Sequence, residues 1–168
     1  TTPWTLPSNA ALCMKPDADY VMVEHEGERL VLAEALMEQV FDEMPKVVQT
    51  FKGRDFLKRK YIPLFDFYVR DHDQGAFFVI NADFVTMDDG TGIVHIAPGF
   101  GADDYEVGQQ YGLPVLQAIE PNGIFTEVAG KYAGKWIKDA DPIIIEDLKT
   151  AGKLFKKARY EHNYPFCW

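Results

Sequence analysis

The first nine residues, Thr-Thr-Pro-Trp-Thr-Leu-Pro-Ser-Asn, combine hydroxyl side chains with an aromatic ring and two prolines. Proline fixes φ and has no backbone N–H, so Pro3 and Pro7 stiffen the segment and hold the threonine side chains in place. We expect an extended conformation. The same composition would suit an edge strand with no chemical role, and the residues alone leave both interpretations open.

A second segment whose side chains could take part in chemistry runs from residue 90 to 105 and contains His95 and Asp104. In a strand, alternate side chains share a face, and the Pro98-Gly99 break brings the next helix start close to the strand end. His95 and Asp104 could therefore approach the same cleft. A strand histidine can equally be a core or surface residue, and an acid at a helix start commonly complements the helix dipole.

Three helices are expected to support these segments, over residues 29–44, 103–112 and 141–152. The first has apolar residues at helical spacing along one stripe. The second begins with Asp103 in a capping box, and the third begins with Asp141 as its cap. Glycines at 112 and 152 mark the ends of the second and third helices.

Strands are expected in residues 61–85, which are rich in aromatic and β-branched side chains and interrupted by a turn at 71–75. A second turn at 88–92 predicts a hairpin between 84–85 and 93–96. Irregularly spaced strands with two or three helices favour an α+β fold over repeating βαβ units.

Composition indicates one ordinary globular domain, since the chain has 168 residues, 47% of them hydrophobic. No stretch approaches the ~20 apolar residues that cross a bilayer, so we expect a cytoplasmic location without membrane contact. The formal net charge of −9 argues against binding nucleic acid mainly through many phosphates. Basic residues cluster at 52–60 and 149–159, as solvated surface or as local patches that face RNA.

The cysteines and the remaining histidines offer little chemistry. Cys13 and Cys167 lack partners at metal-ligand spacing and are expected to be small buried hydrophobic residues. His25, His72 and His162 are expected on the surface or in loops.

Both reactive segments resemble the signature regions of the editing insertion shared by the isoleucyl-, valyl- and leucyl-tRNA synthetases. Thr1 to Asn9 are similar to the isoleucyl form, whereas the valyl and leucyl forms carry an arginine after the threonine pair. The valyl form typically has lysine where His95 stands. The closing residues 164–168 resemble the isoleucyl segment at which the chain returns to the catalytic domain.

The resemblance implies a role for each matching residue. Asp104 would bind the α-ammonium group of the misattached amino acid, a task that suits a carboxylate because every aminoacyl ester presents that cation. His95 would line the amino-acid pocket. The residues implied as catalytic are Thr1, Thr2 and Asp104. The residues implied as substrate-binding are Trp4, Thr5, Asn9, His95 and Asp104.

The resemblance also implies a fold and a reaction. We expect residues 1–168 to be a single editing domain excised from a larger synthetase, with a mostly antiparallel β-barrel core and a few peripheral helices. Its reaction would be post-transfer editing, hydrolysis of the ester of Val-tRNA(Ile), because one methylene changes binding too little for accurate selection. The alternatives are a valyl-type domain that hydrolyses Thr-tRNA(Val) and a non-catalytic module that binds aminoacylated ends.

The expected partners are the 3′ end of tRNA(Ile) carrying valine and the catalytic domain of the parent synthetase, with the domain itself a monomer. An aminoacyl ester is already activated, so a positioned water, hydroxyls and backbone donors could suffice. We therefore expect no cofactor, no metal and no covalent nucleophile here, since ATP and Mg²⁺ would serve only the absent synthetic domain.

Overall fold

A computed structural model describes residues 1–69 and 75–158, which form two three-stranded sheets with helices around them. The strands are β1 (Ala11–Met14), β2 (Asp19–His25), β3 (Glu28–Ala33), β4 (Lys46–Lys52), β5 (Phe78–Asn81) and β6 (Ile93–Ile96). The α-helices are α1 (Met37–Val40), α2 (Ala102–Tyr111) and α3 (Ile137–Thr150). Short 3₁₀ helices cover Pro3–Ser8, Glu34–Leu36, Gly53–Phe56 and Glu127–Tyr132.

The first sheet has the order β5-β1-β6, with β1 parallel to β5 and antiparallel to β6. The central strand β1 reads Ala-Leu-Cys-Met, and an uninterrupted apolar run suits a strand covered on both faces. His95 lies opposite Leu12 in this sheet. The predicted hairpin over 88–92 is wrong, because β6 pairs with β1 and residues 84–85 form no strand.

The second sheet has the order β3-β2-β4 and is antiparallel throughout. Glu26 and Gly27 both have positive φ, 50° and 83°, as a two-residue hairpin turn between β2 and β3 requires. The predicted helix over 29–44 is therefore wrong in its first part, where pairing with β2 overrides the helical spacing of apolar residues. Only Glu34–Leu36 and α1 are helical in that range.

The α+β class is confirmed, but no closed barrel is seen among the described residues. The two sheets meet through a shared apolar cluster rather than through continuous backbone pairing. Met14, Tyr20 and Val79 contribute to this cluster from both sheets, and Ala33 and Leu36 complete its buried part. Of the four pairings between the strands of residues 1–69 and 75–158, three are antiparallel, as expected.

The helix predicted after β6 is confirmed as α2, and it ends at Gly112 in the left-handed conformation. Its N-cap is Gly101, and the side chain of Asp103 caps nothing, so the predicted capping box is absent. The last helix, α3, begins four residues before the predicted cap, Asp141. Gly152, with φ 67°, follows its end as expected.

The N-terminal segment is a 3₁₀ helix over Pro3–Ser8, so the predicted extended conformation is wrong. Proline at the first helical position costs no hydrogen bond and has a suitable φ, which favours a helix start at Pro3. The hydroxyl of Thr5 donates to the carbonyl of Thr2 at 2.8 Å and reinforces the first turn.

The predicted turn at 71–75 falls largely on residues outside the described ranges, as do His72, His162 and Cys167. Within the described ranges, every helix is too short or too polar to cross a membrane.

Candidate functional site

A chain of hydrogen bonds joins the N-terminal 3₁₀ helix to strand β6. Asn9 Nδ2 lies 2.8 Å from His95 Nδ1, and His95 Nε2 lies 3.2 Å from Thr5 Oγ1. The Thr5 hydroxyl in turn donates to the Thr2 carbonyl. Four of the predicted site residues, 86 to 93 positions apart across the two segments, are therefore in one connected network.

Tyr61 extends this network and was not predicted from the sequence. Its hydroxyl donates to Asn9 Oδ1. The ring packs edge-on against Phe77, with 6.4 Å between centroids. No local pattern marks this tyrosine, because its contact with Asn9 spans 52 residues and depends on the tertiary fold.

The electrostatic environment keeps the His95 ring neutral. Burial lowers the pKa of His95 to about 4, because a charged imidazolium is poorly solvated there. Near neutral pH the ring is therefore an uncharged donor and acceptor.

Asp104 lies in the first turn of α2, close to the end of β6. Its Oδ2 accepts the Ala97 backbone N–H at 2.9 Å, which ties the carboxylate to the residue that follows the strand. Burial raises the pKa of Asp104, and the neighbouring Asp103 adds to this, while the bond from Ala97 opposes it. Gly101 leaves room for the side chain, since a Cβ there would lie 3.1 Å from the Asp104 carboxyl carbon.

Among the described hydrogen bonds, none joins the other three predicted residues, Asp104, Thr1 and Trp4, to the network. Thr1 is exposed at the chain start. Trp4 packs into the core edge-on to Phe100, with 5.4 Å between centroids. Its indole Nε1–H is buried and has no hydrogen-bond partner among the described residues. Its backbone N–H donates to Asp141 of α3 at 2.9 Å.

The Cys13 thiol is unsuited to nucleophilic attack. Cys13 is fully buried in β1, as expected, and burial raises its pKa to about 12, with the charge of Asp104 as a second cause. A thiol in this state carries almost no thiolate at neutral pH. Among residues 1–69 and 75–158, no three His, Cys, Asp or Glu side chains are grouped to hold a metal ion.

Two surface clefts, of about 290 and 450 Å³, lie away from the network. The smaller is lined by residues of β2, β4 and the following 3₁₀ helix, including Phe51 and Arg59. The larger lies between residues 64–67 and the C-terminal half of α3. Neither is lined by a predicted site residue.

The first basic cluster is partly neutralised. Lys52 pairs with Asp19 at 2.7 Å, and Arg54 forms an ion pair with Asp17. In the second cluster, the described lysines at 149, 153, 156 and 157 are exposed, and Arg159 lies outside the described ranges. A continuous basic face is thus not formed by the first cluster.

Comparison with solved structures defines the class of fold. The chain is similar to the crystal structure of GlLeuRS-CP1, with a TM-score of 0.68 over 90% of this chain and 78% of that one, at 17% identity. It is also similar to the P. falciparum cytosolic leucyl-tRNA synthetase editing domain, with a TM-score of 0.67 over 89% and 74% of the two chains, at 12% identity. The fold is that of a synthetase editing domain.

Sequence comparison is more specific. The isoleucine–tRNA ligase of Clostridium novyi (strain NT) is 46% identical over all 168 residues, and that of Pyrococcus abyssi (strain GE5 / Orsay) is 46% identical over 181 aligned residues. The chain covers 16% and 17% of the length of these relatives. No family model matches it. The chain is homologous, over its full length, to one segment of the isoleucine–tRNA ligases, which confirms the predicted relationship.

Proposed function

We propose that this chain is an editing domain that hydrolyses the ester bond of valine misattached to tRNA(Ile). The observation that supports this most directly is homology along the entire chain to isoleucine–tRNA ligases, combined with the fold of leucyl-tRNA synthetase editing domains. The partners would be the 3′ end of the mischarged tRNA and the remainder of a synthetase.

Asp104 is proposed as the anchor for the α-ammonium group of the substrate. One carboxylate oxygen is already held by Ala97, and Oδ1 has no donor among the described residues. A carboxylate in this state is oriented and can still accept a charge-assisted hydrogen bond. A bound ammonium would favour the ionised form of Asp104 and offset the effect of burial on its pKa.

His95 and the 3₁₀ helix are proposed as the wall and the polar lining of the site. The His95 ring is fixed through both nitrogens, so it can reject a bulkier side chain by steric overlap. Rejection by overlap is what a second sieve needs to spare isoleucine and admit valine. Thr2 and Thr5 place a carbonyl and a hydroxyl close to His95, where they would orient the attacking water and the terminal ribose.

Two other functions are compatible with the fold. A valyl-type domain would release threonine from Thr-tRNA(Val), and a binding module would retain aminoacylated ends without turnover. Release of amino acid from Val-tRNA(Ile), Thr-tRNA(Val) and Ile-tRNA(Ile) distinguishes the three. We expect release from the first and none from the correctly charged Ile-tRNA(Ile).

The test of the anchor is the variant Asp104→Asn, with Asp103→Asn as its control on the same helix turn. Because the neutral amide loses the charge-assisted bond to ammonium, we expect valine release to fall by roughly 100-fold or more. Asp103 is exposed and caps nothing, so its variant should release valine at the wild-type rate. Equal activity of wild type and Asp104→Asn, with both folded by circular dichroism, would contradict the anchor.

A further inference from the structure

We propose that Tyr61 and Asn9 are positioning residues that hold His95 as the neutral Nε2–H tautomer, so that His95 serves as a fixed donor and wall rather than as a general base. This inference rests on the proposed editing function and names residues that act through His95. It follows from hydrogen-bond directions that can be assigned one after another.

The direction of the Asn9 amide is set first. The atom that faces the Ala11 carbonyl at 2.9 Å must be a donor, because a carbonyl oxygen only accepts. That atom is Nδ2, so Oδ1 points the other way, where the Tyr61 hydroxyl donates to it. An inverted amide would oppose two oxygens at Ala11 and leave the Tyr61 hydroxyl against an amide N–H.

The tautomer of His95 follows from this orientation. Asn9 Nδ2 has two hydrogens, one used on Ala11 and the other directed at His95 Nδ1 at 2.8 Å. Nδ1 must therefore accept, which leaves the ring proton on Nε2. Nε2–H then donates to Thr5 Oγ1 at 3.2 Å, and the Thr5 hydroxyl donates to the Thr2 carbonyl.

Tyr61 is the first donor in this series of hydrogen bonds. Its backbone N–H donates to the Phe77 carbonyl at 3.0 Å, and its ring packs against the Phe77 ring. Phe77, the residue before β5, therefore fixes the position of the Tyr61 hydroxyl. Burial raises the pKa of Tyr61 above its ordinary value, so the phenol remains a donor at every working pH. Without that hydroxyl, Asn9 Oδ1 has no donor in the network and the amide loses one of its three constraints.

The consequence for the reaction concerns where a proton can go. A general base needs a free lone pair, and the lone pair of His95 Nδ1 is occupied by Asn9. Nε2 carries a proton and has no lone pair to offer. His95 can therefore orient Thr5 and exclude a bulkier amino-acid side chain. Proton transfer from the attacking water must use another group or solvent.

The experiment compares Tyr61→Phe with wild type by ¹⁵N NMR of the imidazole nitrogens and by valine release from Val-tRNA(Ile). In wild type, we expect the His95 Nδ1 resonance in the unprotonated range and Nε2 in the protonated range. Tyr61→Phe should mix the two tautomers and lower kcat by about 5- to 10-fold, with little change in KM, because Asp104 still anchors the substrate.

Tyr111→Phe is the matched control. Tyr111 also packs against the same core cluster, and its hydroxyl bonds to the backbone of Asn81 at 3.0 and 3.3 Å, but it has no connection to His95. This variant should change stability while leaving the His95 resonances and kcat as in wild type. Equal changes in both variants would assign Tyr61 a merely structural role and overturn the proposal.

A second variant, Asn9→Asp, keeps the proposal testable if Tyr61→Phe does not fold. A carboxylate cannot donate to Nδ1, so we expect the ring proton to move to Nδ1 and the two nitrogen resonances to exchange ranges. A wild-type ring already protonated on Nδ1 would overturn the proposal whatever the activity. Conversely, wild-type protein with the expected tautomer but no valine release would refute the editing function and leave the assignment of the tautomer intact.

Discussion

At the scale of single residues, burial removes the two side chains that most often act as nucleophile or base. The Cys13 thiol is kept protonated inside β1, and the His95 ring is kept neutral with its acceptor nitrogen occupied. The polar groups that remain near β6 include the Asp104 carboxylate, two hydroxyls, the Asn9 amide and backbone carbonyls. This inventory suits hydrolysis of an already activated ester by an oriented water, in which positioning supplies most of the acceleration.

The depressed pKa of His95 predicts that this residue destabilises the fold in acid. The unfolded chain binds a proton at His95 near its ordinary pKa of about 6.5, whereas the folded chain does so only near 4. The contribution of His95 to stability is therefore fully present above the unfolded pKa of about 6.5. It is lost as the pH falls from there toward the folded pKa of about 4. We expect this histidine alone to lower the free energy of unfolding by about 2 kcal/mol between pH 7 and pH 5.

Urea unfolding of wild type and His95→Gln at pH 7 and pH 5 measures this effect. Glutamine does not titrate, so the stability difference between the two proteins should shrink, or change sign, at the lower pH. Carboxylates shared by both proteins cancel in that difference. A difference that is the same at both pH values would show that His95 titrates alike in the folded and unfolded chains.

Only some residues of the network could be predicted from the sequence. Thr5, Asn9 and His95 belong to segments with distinctive composition or resemblance, and they are adjacent in the fold. Tyr61 is one of eight tyrosines, and nothing near it in sequence distinguishes it. Its role arises from a contact that only the folded chain creates.

At the scale of elements, α3 positions the N-terminal 3₁₀ helix. Asp141 accepts the Trp4 backbone N–H, which is among the donors that a helix start leaves without an internal partner. Asp141, which was predicted to cap α3, thus lies inside α3 and caps the N-terminal 3₁₀ helix instead. The last helix therefore helps to hold the threonines of the site, although it contributes no side chain to the network.

Replacing Asp141 should loosen the threonine segment. Asp141→Ala removes the acceptor of the Trp4 N–H, and we expect a loss of about 1–2 kcal/mol of stability because that donor stays partly buried. Valine release should fall by about tenfold as the 3₁₀ helix frays. Glu146→Ala, at an exposed position on the same helix, is the control and should be near neutral. Thermal unfolding and deacylation assays measure the two effects, and an Asp141→Ala protein as stable and as active as wild type would contradict the assignment.

Local sequence patterns correctly predicted helices that end at a glycine. They failed where pairing with a strand distant in sequence determined the secondary structure. Gly112 ends α2 because glycine adopts the left-handed conformation without strain. By contrast, residues 29–33 have helical spacing of apolar side chains but pair with β2. The 88–92 turn is flanked by apolar residues, yet β6 pairs with β1, whose paired residues lie 79 to 85 positions earlier in the chain.

At the scale of the whole molecule, the two sheets are joined by packing and by hydrogen bonds, among them those of one buried hydroxyl. Tyr20 of β2 is fully buried, donates to the Gly92 carbonyl at 2.6 Å and accepts the Lys15 N–H at 2.9 Å. Lys15 follows β1 and Gly92 precedes β6, and Met14 pairs with Ile93, so this side chain of the second sheet is bonded to two adjacent strands at one end of the first. The network around His95 depends on the same first sheet, which links its geometry to the docking of the two sheets.

Tyr20→Phe should therefore destabilise the entire fold rather than one sheet. The change leaves a backbone N–H and a carbonyl without their partner, and we expect a loss of about 2–3 kcal/mol in the free energy of unfolding. Because the shared cluster still joins the sheets, circular dichroism and tryptophan fluorescence should report one coincident transition in urea. Tyr105→Phe, at an exposed tyrosine, is the control and should stay within about 0.5 kcal/mol of wild type. Two separate transitions in Tyr20→Phe would mean that the sheets unfold independently, and the hydroxyl would then be a local contact of β2.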